Sequence, residues 1–168
     1  NIQKNMYFTA YKKIMLDYMQ KNSDYLTREN EVAHFTTSIW TINKERTKTL
    51  MVYHNIYDSW SWIGGHADGE EDLASVALRE LEEETGLKTT SVEQFYTFSD
   101  VNRDPRERVI TVAHYALVRL EEVKGGDDAK SAQWFAMNEI PSLAFDHDRI
   151  LRMAINRLKE RICFESLR

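Results

Sequence analysis

The chain has 168 residues, 42% of them hydrophobic and 29% charged, with a formal net charge of -5, a composition suited to a domain with one core. This balance argues against a broad phosphate-binding face for DNA or RNA, which needs clustered lysine and arginine, so an anionic ligand would require metal ions or a few placed arginines. No apolar run is long enough to cross a bilayer and no secretory pattern opens the chain, so the expectation is a single domain over residues 1–168, soluble and cytoplasmic, without nucleic-acid or membrane partners.

In chain order, Met6 to Gln20 carries Tyr7, Tyr11, Ile14, Met15, Tyr18 and Met19 at the spacing of one helical face, which predicts a packing helix over about 5–20. Ala33 to Ile42 and Thr49 to Tyr53 are rich in β-branched and aromatic residues and read as two strands, joined by the polar Asn43 to Lys48 as a hairpin or short meander. A glycine pair, Gly64-Gly65, reads as a turn before a helix from about Gly69 to Thr85. Asp68 and Glu71 suggest a capping box at its start, and Gly86 a left-handed end. Ser91 to Phe98, Arg108 to Leu120 and Ala132 to Met137 read as strands, and Asp146 to Ile162 as a second core helix. The lone cysteine, Cys163, has no intramolecular disulfide partner and reads as a packing residue. Mixed helices and strands give an α/β class with helices packed on a sheet.

The chemistry concentrates between Gly65 and Leu87. On a helix Glu80 and Glu84 are one turn apart with Glu83 beside both, so three carboxylates project in neighbouring directions. Like charges at that spacing destabilise an isolated helix, which suggests a compensating hard cation such as Mg2+ or Mn2+. Leu73, Ala77 and Leu81 form the opposite, packing side. A solvated, salt-bridged face is the ordinary meaning of an acidic run; here glycines, Glu71, Arg79 and Gly86 stand in register with the glutamates.

That register resembles the signature of the Nudix hydrolase family: Gly65, five residues, Glu71, seven residues, then Arg79-Glu80-Leu81-Glu82-Glu83-Glu84-Thr85-Gly86-Leu87. The resemblance implies an αβα sandwich with a mixed sheet and a loop-helix-loop catalytic motif. It also implies metal coordination by Glu80, Glu83 and Glu84, with the backbone carbonyl of Gly65 as a further ligand. Glu71 and Arg79 would orient the helix and its ligands. The pattern departs at Ile63, where relatives often have proline. Trp60 occupies a position where many relatives have an aromatic residue and reads as core.

Divalent cations neutralise a diphosphate and activate water for attack at phosphorus. Glu83, or Asp127 or Asp128 from the Gly125-Gly126 loop, can assist as base, and both options remain open; a surface turn is the plainer reading of the two aspartates. Further segments, Arg103-Asp104-Pro105-Arg106, Gly126-Asp127-Asp128-Ala129 with Trp134-Phe135, and Leu143-Ala144-Phe145-Asp146-His147, are similar to a subgroup containing ADP-ribose pyrophosphatases. That similarity implies cleavage of ADP-ribose to AMP and ribose 5-phosphate. The same metal helix also fits NADH, a dinucleoside polyphosphate or a nucleotide sugar.

Arg103, Arg106 and Arg108 are candidates for phosphate or ribose contact, and Phe98, Tyr115 and Trp134 for adenine stacking, against the plainer readings of a solvated turn and core aromatics. His66 and His147 read as structural or supporting histidines. A non-catalytic ADP-ribose-sensing regulator is the competing class. The intact glutamates, and the absence of a basic recognition helix in the short stretch after the last helix, favour catalysis. A homodimer is compatible with the resemblance.

Overall fold

The computed structural model describes residues 2–165, with side chains described over 12–160. The elements run α1 (Ile2–Lys21), β1 (His34–Asn43), β2 (Lys48–His54), β3 (Ser59–Ser61), β4 (Ile63–His66), α2 (Leu73–Thr85), β5 (Glu93–Phe98), β6 (Val109–Val118), β7 (Ala129–Ala136) and α3 (His147–Glu165). The seven strands form one mixed sheet, with a path β3-β2-β1-β6-β5, β4 added to β1 and β7 added to β2. Strand β1 pairs in parallel with β6 along its whole length and antiparallel with β4, and meets β2 at Ile42 and Thr49. A strand so engaged has both edges used, and its burial is near complete.

The period of two along β1 and β2 sorts their side chains between two cores. Ile39, Leu50 and Val52 join Ala77 and Leu81 of α2 on one face. Trp40, Ile42 and Met51 join Ile150, Leu151 and Ala154 of α3 on the other. Helix, sheet and helix therefore make the expected αβα layering. A third cluster at the sheet's end, with Phe35, Ala67 and Ile110, receives Met15, Tyr18 and Met19 of α1. Ile14, read as part of that packing face, is instead 63% exposed; Tyr7, Tyr11 and Cys163 lie outside the described side chains. No helix among the described residues is long and apolar enough to cross a membrane.

Two local expectations change. The glycine pair is a strand rather than a turn: Gly65 stands opposite Thr37 and Gly64 opposite Ser38. A Cβ on Gly64 would sit 2.5 Å from the Thr37 carbonyl oxygen, so only glycine allows this close approach. Helix α2 starts later than the Gly69 estimate, because Asp72 is its cap and accepts from the Ser75 backbone N–H at 3.2 Å. Asp68, assigned the capping role from sequence, has φ 47° and instead takes a bidentate pair from Arg28 at 3.0 and 2.8 Å. The helix does end on Gly86, at φ 76°, whose N–H donates to the Glu82 carbonyl.

Candidate active site

The amphipathic α2 buries Val76, Ala77 and Leu81 and thereby turns Glu80 and Glu83 toward a cleft of about 500 Å3, which Glu84 also lines from its buried position. Strand β4 brings Gly65 against this helix. A Cβ there would be 2.5 and 2.7 Å from the two carboxylate oxygens of Glu80, so the bare glycine is what lets that side chain lie over the strand.

The third part of the site comes from the loop before β7. The Lys124 N–H donates to the Thr85 carbonyl and the Gly126 N–H to the Glu84 carbonyl, satisfying groups the helix end leaves open. A Cβ on Gly126 would meet the Glu83 carbonyl oxygen at 2.5 Å. With the loop docked this way, Asp127 and Asp128 line the same cleft as the glutamates.

These carboxylates are short of positive charge. Glu84 is 3% exposed and its Oε2 has no hydrogen-bond partner among the described residues. Burial, and then the neighbouring charge of Glu80, push its carboxyl up to about 9. Burial and Glu83 likewise raise Glu80, against the lowering effect of Arg79. A buried acceptor without a donor, among acids that repel it, fits an oxygen-preferring divalent cation. Glu80, Glu83, Glu84 and the Gly65 carbonyl are the groups present to hold one.

The sequence-selected arginines part company here. Arg103 is 6% exposed at its side chain and makes a two-pronged pair with Asp146 at 3.2 Å, with Thr111 also hydrogen-bonded to it. It borders the cleft with its guanidinium already engaged. Arg106 pairs with Asp104 at 2.6 Å while lying 4.6 Å over the Tyr57 ring and 5.1 Å from that of Phe145. Its charge is further secured by Asp104, which holds the guanidinium above its ordinary range. Arg108 donates to the Asp100 carbonyl and is absent from the cleft lining.

Phe98 is 4% exposed among core aromatics rather than in the cleft, so it is not placed to stack on a ligand. Tyr115 and Trp134 also pack on the cores. Trp60 is a packing residue as read from sequence, edge-on to Tyr53 and Phe135.

Not every lining residue was signalled in the sequence. Tyr57, on the turn after β2, stacks on His54 with centroids 3.8 Å apart and 11° between planes. His147, read from sequence as a structural or supporting histidine, is half-buried at the cleft, edge-on to Trp62 and Phe145, and its enclosed Nδ1 has no partner among the described residues. Burial lowers it to about 3, so the ring is neutral. Glu71 is exposed and Arg79 lines the cleft.

The NUDIX domain family matches residues 32–154, which contain every strand, the glycine pair and α2. The chain belongs to the Nudix family. Among curated relatives, an ADP-ribose pyrophosphatase of Methanocaldococcus jannaschii is 39% identical over 89 residues, 53% of each chain. An ADPR responsive transcriptional repressor, NtrR, of Acinetobacter baylyi is 27% identical over 138 residues, covering 77% of this Nudix chain and 55% of the repressor. The chain thus spans about half the length of these two relatives. Among solved structures, the NUDIX domain of Shewanella oneidensis NrtR complexed with ADP ribose matches at TM-score 0.66 and 25% identity, over 74% of this chain and 87% of that one. A MutT/nudix family protein from Enterococcus faecalis matches at TM-score 0.69 and 28% identity, over 89% and 69%.

Proposed function

We propose that this Nudix domain hydrolyses ADP-ribose to AMP and ribose 5-phosphate with Mg2+, or Mn2+ in its place, as the supporting ion. The observation that carries the reading is the buried Glu84 Oε2, partnerless among the described residues, grouped with Glu80, Glu83 and Gly65 on a cleft of about 500 Å3. The similarity to an ADP-ribose pyrophosphatase and to an ADP-ribose-bound Nudix domain supports the choice of substrate.

Bound divalent cations supply charge neutralisation of the diphosphate and activation of the attacking water. The protein's own groups orient and dispose of protons. Water attacks one phosphorus, the bridging phosphoanhydride P–O bond breaks, and the electron pair leaves on the second phosphate. Glu83, exposed on the cleft side of α2, receives the water proton, and Asp128 is the alternative acceptor from the facing loop. Arg79, beside Glu80, helps keep that carboxylate ionised. Phe145, exposed at the cleft beside Arg106, offers an apolar ring for the base or ribose of the substrate, with Tyr57 fixed behind it between His54 and Arg106.

A panel of ADP-ribose, NADH, a dinucleoside polyphosphate and a nucleotide sugar, each with Mg2+, tests the reading. The expected result is AMP release from ADP-ribose and a loss of about 100-fold or more in kcat for Glu83→Gln with unchanged folding. Cleavage of another diphosphate alone would reject the substrate. Tight ADP-ribose binding without cleavage would assign the chain to the sensing class, which the similarity to NtrR also favours.

A further inference from the structure

His34 opens β1 and His66 closes β4, and the sheet brings them to one place. The antiparallel register sets His66 opposite Thr36, one side-chain repeat from His34. The parallel register sets His34 opposite Val109, so Glu107, two residues earlier in the chain, arrives at the same end of the central strand.

His34 Nε2 lies 3.0 Å from His66 Nδ1 and 3.7 Å from Glu107 Oε2, while Glu107 Oε1 is 3.6 Å from His66 Nε2. The first distance fits a hydrogen bond between rings. The other two are too long for one, so the carboxylate faces both imidazoles while bonding to neither. One ligand atom from each of the three residues can be chosen so that all lie within 4.8 Å of one another. Atoms bound at zinc distances around a tetrahedral ion stand about 3.4 Å apart, within the spread of the separations seen here. The rings are held in place: His34 is 2% exposed, and the imidazoles stack with centroids 5.0 Å apart.

The geometry points to a second metal site in which His34, His66 and Glu107 hold a borderline divalent transition ion of the zinc class. Its ligands are nitrogen-rich, whereas the acidic helix offers only oxygen, so the two sites sort ions by chemistry: imidazole suits zinc and its neighbours, carboxylates suit magnesium. Two imidazole nitrogens and one carboxylate, as ligands, would carry a single negative charge between them and leave a bound divalent ion with a net positive charge and open coordination positions. His66 and Glu107 border the cleft, so those positions are open to water or to an anionic oxygen there. The assignment does not depend on which diphosphate the protein cleaves.

Co2+, the spectroscopic substitute for zinc, is titrated into the full chain in excess Mg2+, which occupies the oxygen-only site. The expected result is one equivalent bound with the strong visible absorption of a low-coordinate, nitrogen-ligated ion, displaced by Zn2+. Glu107→Gln and His34→Gln should each weaken Zn2+ binding about tenfold or more, and Glu83→Gln should leave the spectrum unchanged. Because Glu107 is one-third exposed, its amide variant keeps the fold testable should His34→Gln destabilise it, and melting without metal checks both. Uptake with only the weak absorption of a six-coordinate, oxygen-ligated ion would overturn the assignment. So would a spectrum lost in Glu83→Gln and retained in Glu107→Gln.

Discussion

In the metal-free protein Glu84 is held neutral, and this links metal binding and folding to pH. Its carboxyl stands at about 9 in the fold against 4.5 in the open chain. Between those values the folded state binds a proton that the unfolded state does not, so stability falls as pH rises through the window and is greatest below it. At pH 7 the cost of keeping Glu84 protonated, relative to an unfolded chain that ionises it, is about 3 kcal/mol. Glu84→Gln, a neutral side chain of the same shape, should therefore stabilise the apo protein by up to about 3 kcal/mol at pH 7 and by little at pH 4.5.

An ion bound to the Glu84 carboxylate must displace that proton. Calorimetric Mg2+ titrations in buffers of different ionisation enthalpy should show close to one proton released per ion at pH 7, and apparent affinity should rise about tenfold per pH unit between 6 and 8. Glu84→Gln should bind poorly and release none. A wild-type titration without proton release, together with an apo stability indifferent to Glu84→Gln, would refute the reasoning, because Glu84 would then already be ionised.

Three other perturbations separate assembly of the site from assembly of the fold. Gly65→Ala places a Cβ on the Glu80 carboxylate, the movable end of a side chain, so kcat should fall about tenfold or more while the melting temperature changes little. Arg103→Met leaves Asp146, 16% exposed, without its partner, and chemical denaturation should register a loss of about 3 kcal/mol or more. Asp72→Ala removes the acceptor for the Ser75 N–H and should lower the denaturation midpoint in the same measurement, with metal affinity unchanged.

The acidic helix was legible because it carries redundant local signals. Its apolar stripe, its terminal glycine and the glutamate spacing all act within four residues, where helix geometry leaves little freedom. The sandwich was legible for a similar reason, since the alternation along β1 and β2 writes two buried faces directly into the chain. The start of α2 misled because Asp68 and Asp72 are both acceptable caps. The choice was made by Arg28, forty residues away, which claims the first.

The glycine pair misled for a tertiary reason as well: Gly64 is needed where backbone meets backbone, so its role is visible only once β1 is alongside. Phe98 and the arginines show the converse limit. Charge and aromaticity mark residues able to recognise a ligand, but Asp146 occupies Arg103, Asp100 occupies Arg108, and the core encloses Phe98. Tyr57 reaches the cleft by folding, and nothing in its local spacing indicates it.

Docking of the Gly125-Gly126 loop onto the open carbonyls of α2 has an architectural consequence. Backbone groups anchor the aspartates to the helix that carries the glutamates, so the acidic half of the cleft is built as one rigid casting. Tyr57 and Arg106 hang from two separate connections, after β2 and before β6. Ligand preference can therefore drift by exchange of those two segments, as with interchangeable jaws on a fixed vice, without recutting the acidic half.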